Sequence, residues 1–187
     1  MTKLTLGVLL FGLVHLVPAL FADARKGLID RIGANPYKGL FTLLTLFALY
    51  LIVAGWKSTP PELVYLAPAW GRYLTVVLTL VAFVLLLAPY TQNNFKRLLR
   101  HPQLSGVVLW GIGHLFANGE SRSLLLFGGL ALWAVAEILL INHREGAWQK
   151  PAPAPLKNDV VRIVAGVVAF AVMVALHRWL FGFSPLP

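Results

Sequence analysis

The sequence predicts an all-α fold, a multi-pass transmembrane bundle of about six helices, and three observations carry that prediction. Of 187 residues, 58% are hydrophobic and only 12% are charged, about half the charged share of an ordinary soluble domain. Mean hydropathy is +0.76. The apolar residues gather into six runs, each near the ~20 residues that a helix needs to cross a bilayer. No polar stretch is long enough for a second domain, so residues 1–187 read as one transmembrane unit.

The first run, 4–22, is broken only by His15 and Pro18. Ala22-Asp23-Ala24 has the small-x-small shape of a signal cleavage site, but Arg25, Lys26 and Arg31 follow the run. That charge order predicts a retained helix. Residues 23–36 read as a short basic linker, with Asn35-Pro36 as a turn and helix-start signal. The second span is 37–56. A loop with Pro60, Pro61 and Pro68 leads to the third, 72–90. Polar, basic residues 91–100 precede the fourth span, 103–118, which at helical rise is ~24 Å long and short for a crossing. The fifth is 123–141 and contains Glu137. A basic, Pro-rich linker, 143–158, leads to the sixth, 159–181.

Six crossings put both termini on one side. That side and its loops hold five basic residues (Lys3, Lys57, Arg72, Arg122, Arg178), and the odd loops with their helix ends hold the other eleven of sixteen. The asymmetry places the odd loops in the cytoplasm and both termini on the opposite side of the membrane. The +9 charge then belongs to topology and anionic headgroups, and the lipid bilayer, not nucleic acid, is the partner it predicts. The absence of Cys excludes thiolate metal sites and a Cys nucleophile. No internal repeat is visible, which argues against an inverted-repeat transporter.

The segment Arg100–Gly119, RHPQLSGVVLWGIGHLFANG, concentrates the polar groups. Ionisable residues within a span are expensive and mark function or helix packing. His15, His114 and Glu137 are the three that stand out. His101 and His114 cannot share an ion, because on one helix they lie ~20 Å apart and ~220° around. Pro102 makes His101 a helix-start residue. His114 as a metal ligand therefore needs another helix, and His15 is the partner available by depth. By helical rise His15 is ~17 Å and His114 ~6 Å from the outer ends of their spans, which keeps His177 as an alternative.

Two His in an apolar bundle suit haem, with its two axial imidazoles, better than zinc, which wants more ligands. Gly106 and Gly113 share a face that would admit either a planar ring or a neighbouring helix, with Trp110 one turn before His114. The competing reading is that His114 only hydrogen-bonds across helices. Glu137 reads either as a structural tie or as a proton carrier or substrate contact. Arg100-His101 reads as a snorkelling cation and helix cap, or as an anion-binding corner at a helix N-terminus.

The HPQLSG…LWGIGHLFANG block, with GLVHLVPA around His15 and the LLLFGGLALWAVAE run, resembles the NnrU family of multi-pass bacterial membrane proteins over nearly the whole chain. The family name implies a link to nitrite and nitric oxide reduction in denitrification. A relative, the plant 15-cis-zeta-carotene isomerase, is a membrane haem b protein in which redox change at the iron frees a ligand. That resemblance implies haem b ligated by His15 and His114, and a redox, nitric-oxide-linked or isomerase-type role on a hydrophobic small molecule. The Cys that precedes the second ligand in the isomerase is Gly111 here, so a thiolate ligand switch is excluded. RHPxxxG also resembles the motif of isoprenylcysteine and phospholipid methyltransferases. That similarity implies an alternative S-adenosylmethionine site at Arg100, His101, Pro102, Gly106 and Glu137. A non-enzymatic accessory of a respiratory complex is the third expectation.

Overall fold

The computed structural model describes residues 1–186. Its elements are helices, and the extended pairing among the described residues is one isolated bridge between Leu63 and Glu120. The helices are α1 (Thr2–Leu20), α2 (Ala22–Ile32), α3 (Ala34–Ser58), α4 (Gly71–Leu87), α5 (Phe95–Leu98), α6 (Pro102–Ala117), α7 (Ser121–Ser123), α8 (Gly129–Glu145) and α9 (Leu156–Phe181). A π-helical turn, Leu124–Gly128, joins α7 to α8.

Helices α1 and α3 run antiparallel. The Met1 ammonium donates to Thr59 Oγ1 at 3.0 Å at one end, and His15 meets Phe41 farther along. Glycine permits the close approach: a Cβ on Gly7 would stand 2.7 Å from the Ile52 amide nitrogen, and one on Gly55 would fall on the Leu4 backbone. With no water to expel inside a bilayer, such backbone contact is what holds helices together. Leu4, Val8 and Ile52 form the buried centre of this pair, with Phe11, Trp56 and Leu130 packed around them.

Helix α6 lies antiparallel to α4. Gly106 rests on Ala82 and Leu85, and Gly113 rests on Leu78. The small-residue face of α6 is therefore filled by a neighbouring helix. Gly111, on another face, packs on Phe127 and Ala131 of the α8 segment. Helix α9 is the outermost, with Gly166 against Val84 and Phe170 edge-on to Phe83. Asp159 at its start accepts from Asn94 N at 2.7 Å and Nδ2 at 2.6 Å.

These pairings take the chain from end to end six times. Five segments are long and apolar enough to cross a membrane: Thr2–Leu20, Ala34–Ser58, Gly71–Tyr90, Ser121–Glu145 and Leu156–Phe181. Helix α6, with 16 residues, is the short crossing. Large apolar side chains face outward, Leu43 at 66% and Leu132 at 72% exposure, as a lipid-facing surface requires.

Two expected linkers are shorter than the sequence reading gave. Residues 22–32 of the first are helical. ADARKGLIDRI is rich in helix formers, Lys26 and Asp30 pair one turn apart at 3.2 Å, and Gly33 at φ 87° ends the helix. It buries no side chain, and Leu28, Ile29 and Ile32 share a stripe suited to a membrane surface. In the second, α8 continues through His143 and Arg144 to Glu145.

A cavity walled by His15 and Glu137 as the candidate functional site

The end of the bundle that gathers α2, residues 90–100 and residues 145–156 contains a cavity of about 890 Å³. Phe11 and His15 of α1, Leu104 and Val107 of α6, and Trp133, Glu137 and Ile141 of α8 wall it. Arg100, His101 and Lys96 stand at its polar side. A second cavity of about 590 Å³ is lined by Pro18, Phe41, Arg25, Lys38 and Arg144. His15, Glu137 and Ile141 line both.

The wall is built by helical periodicity. His15 follows Phe11 by one turn, stacks on it at 4.2 Å, and meets Phe41 and Trp133 edge-on at 5.1 and 5.2 Å. His15 Nδ1 lies 2.7 Å from the Phe11 carbonyl. A carbonyl can only accept, so Nδ1 carries the proton and Nε2 is left with a lone pair and no partner in the chain. On α8, Trp133 and Glu137 are also one turn apart, and Trp133 Nε1 and Glu137 Oε2 are buried without a hydrogen-bond partner.

Arg100 and His101 are fastened to the end of α8. Arg100 donates to the Gly146 carbonyl at 2.7 Å and to Glu145 Oε2 at 3.1 Å. A cation there complements the negative end of the helix dipole. His101 Nε2 lies 3.0 Å from Asn142 Oδ1. Pro102 opens α6, where its missing N–H costs nothing. Arg144 bonds Glu145 Oε1 at 3.3 Å and reaches the Pro18 and Ala19 carbonyls of α1, each at 3.4 Å. The last turn of α8 thus ties the start of α6 to the end of α1.

Four of the residues singled out in the sequence, His15, Arg100, His101 and Glu137, come together here. His114 and Trp110 line neither cavity. His114 stacks on Phe127 at 4.3 Å with Trp110 at 5.0 Å. Its Nδ1 donates to the Trp110 carbonyl at 2.8 Å, the arrangement seen at His15. His177 is on the outermost helix, with Nδ1 at 3.0 Å from the Phe183 carbonyl. Among the described residues, no group of three or more His, Asp or Glu side chains is disposed to hold a metal ion. The sequence reading missed Phe11, Trp133, Asn142 and Glu145. The signal was there in the four-residue spacing of Trp133, Glu137, Ile141 and Glu145, one stripe of one helix.

Fold and site together define a multi-pass α-helical membrane protein with a divided cavity at its basic end. The chain belongs to the NnrU family: the family model described as NnrU protein matches residues 3–185. Neither the curated proteins nor the solved structures gave a match.

Proposed function

We propose that this chain is a bacterial inner-membrane protein that binds haem b in the cavity between α1, α6 and α8, with His15 as an axial ligand. The observation that carries the reading is His15 itself. Its Nδ1–H is held by the Phe11 carbonyl, which leaves Nε2 with a lone pair, and the residue lines both cavities. Metal-ligating His side chains are oriented and made more basic in this way. Lys96 and Arg100 at the polar side suit the propionates of the porphyrin, and Phe11, Leu104 and Val107 suit its apolar edge. His114, the second ligand that the resemblance implies, lines neither cavity and is stacked on Phe127, so His15 is the one ligand this reading rests on. Haem in such a site supplies one-electron chemistry. The chain supplies the ligand tautomer, the charge at the propionates and an apolar wall. This fits a redox, nitric-oxide-linked or isomerase-type role.

Protein purified in mild detergent after expression with ample haem is expected to show a Soret band. His15→Ala should abolish it, and His114→Ala should leave it in place. Colourless wild-type protein would overturn the reading. The convergence of Arg100, His101 and Glu137 on one cavity favours S-adenosylmethionine as the second occupant. Saturable binding of that cofactor to colourless protein, lost in Arg100→Ala, is the result that would put it first.

A further inference from the structure

The second cavity, about 590 Å³, sits where α1 ends and α3 begins, and three cations line it: Arg25 of α2, Lys38 of α3 and Arg144 of α8. Pro18 and Phe41 form its apolar side. None of these belongs to the wall given to haem. Helix α2 buries no side chain, and its course back from α1 brings the Arg25 guanidinium over the Tyr37 ring, 5.5 Å from the centroid. A ring contact of this kind leaves the N–H edge of the guanidinium unspent. Ion pairs among the described residues join Lys26 to Asp30, Arg100 and Arg144 to Glu145, and Arg122 to Glu120. Arg25 and Lys38 are in none of them. Asp23, two residues from Arg25, is ~200° around α2 from it. Glu137, the one carboxylate lining the cavity, is ~10 Å along α8 from Arg144. Two unpaired cations and a third shared with Glu145 thus stand beside an apolar floor at the basic end of the bundle. We propose that this cavity binds the headgroup phosphate of an anionic phospholipid. Arg25 and Lys38 donate to the phosphate oxygens, with Arg144 adding charge from α8. Tyr37, Phe41 and Leu44 share one stripe of α3, and Leu44 is exposed, so the floor runs out onto the lipid-facing surface and the acyl chains follow it. A zwitterionic headgroup brings its own ammonium against the three cations, and a soluble phosphate makes no use of the floor.

The test takes the full chain in mild detergent mixed with equal amounts of dioleoyl phosphatidylglycerol and dioleoyl phosphatidylcholine, and native mass spectrometry counts the lipid retained. Wild type should keep phosphatidylglycerol over phosphatidylcholine by on the order of tenfold, the worth of two cations near a membrane surface. Arg25→Gln combined with Lys38→Gln should bring the ratio close to one. Arg31→Gln combined with Lys157→Gln removes the same charge from the same end, outside the cavity, and should keep the preference. Arg144 is left in place because it also ties α8 to α1. All four substituted residues are exposed, and an unchanged helical spectrum checks that the variants fold. Equal retention of the two lipids by wild type overturns the proposal. So does an equal loss in both double variants, the mark of diffuse attraction between a basic end and any anionic lipid. Displacement of the bound lipid by millimolar inorganic phosphate would assign the cations to a soluble anion and overturn it as well. Retention is read as mass, with or without haem, so its outcome is separate from that of the Soret band.

Discussion

Single side chains finish what α6 is too short to do for itself. The last four carbonyls of any helix have no partner within it, and at membrane depth water is not there to supply one. Asn118 Nδ2 donates to the His114 carbonyl at 2.9 Å and Tyr65 Oη to the Leu115 and Asn118 carbonyls, and just inside the last turn Thr75 Oγ1 donates to the Gly113 carbonyl at 2.6 Å. Tyr65→Phe should therefore lower stability by about 1–3 kcal/mol, the cost of a buried acceptor left unmet. Thermal unfolding in detergent reads this directly. Burial pushes the Tyr65 phenol above its ordinary pKa. The neutral hydroxyl is the donor, so its contribution is fully present below the ordinary phenol range and is lost as pH rises through the raised pKa. Tyr65→Phe should remove that part of the alkaline destabilisation.

Between elements, the contact of α1 with α3 depends on the missing Cβ of Gly55. Gly55→Ala puts a methyl group onto the Leu4 backbone, and the helices must separate, at about 1–3 kcal/mol. Gly39 is on the same helix with nothing within 4 Å of its Cβ position. Gly39→Ala should stabilise by up to about 1 kcal/mol through helix propensity. Melting temperatures of the two variants moving in opposite directions is the expected result, and parallel shifts would show that α1 and α3 do not pack through Gly55. The crossings themselves were legible in the sequence, because apolar length and Pro or basic punctuation report the bilayer. Helix α2 was not, because its 11 residues are too short and too polar for that signal, and its helicity comes from local propensity and one ion pair. The pairing of His15 with Glu137 was not legible either. Each looked like an isolated polar residue in its own span, and only the parallel course of α1 and α8, with Gly129 beside Val8 and Trp133 beside Gly12, brings them to one wall. The helical spacing of His101 and His114 already set them apart as two sites, and the fold gives His101 to the cavity and His114 to Phe127.

For the molecule as a whole, the end-to-end course of the helices collects eleven of the sixteen Lys and Arg side chains at the cavity end, and that cation excess is the ground for proposing a cytoplasmic cavity end. The chain contains no Cys, so single-Cys variants report orientation without background. In intact spheroplasts a membrane-impermeant maleimide should label Ser184→Cys and leave Lys150→Cys unlabelled until the cells are opened. The opposite pattern would turn the molecule over. One consequence of the length of α6 remains at this scale. Its 16 residues reach ~24 Å, against a hydrocarbon thickness of ~30 Å, while α3 and α9 have 25 and 26 residues. Such a mismatch thins a bilayer when lipid must meet it. Here the shortfall is taken up by peptide: Val64 and Tyr65 amides bond the Gly119 carbonyl and the Ser121 amide bonds Glu62, roofing the notch above His114. Water on that side meets a self-satisfied polypeptide lid over α6, and the surrounding membrane can keep its full thickness.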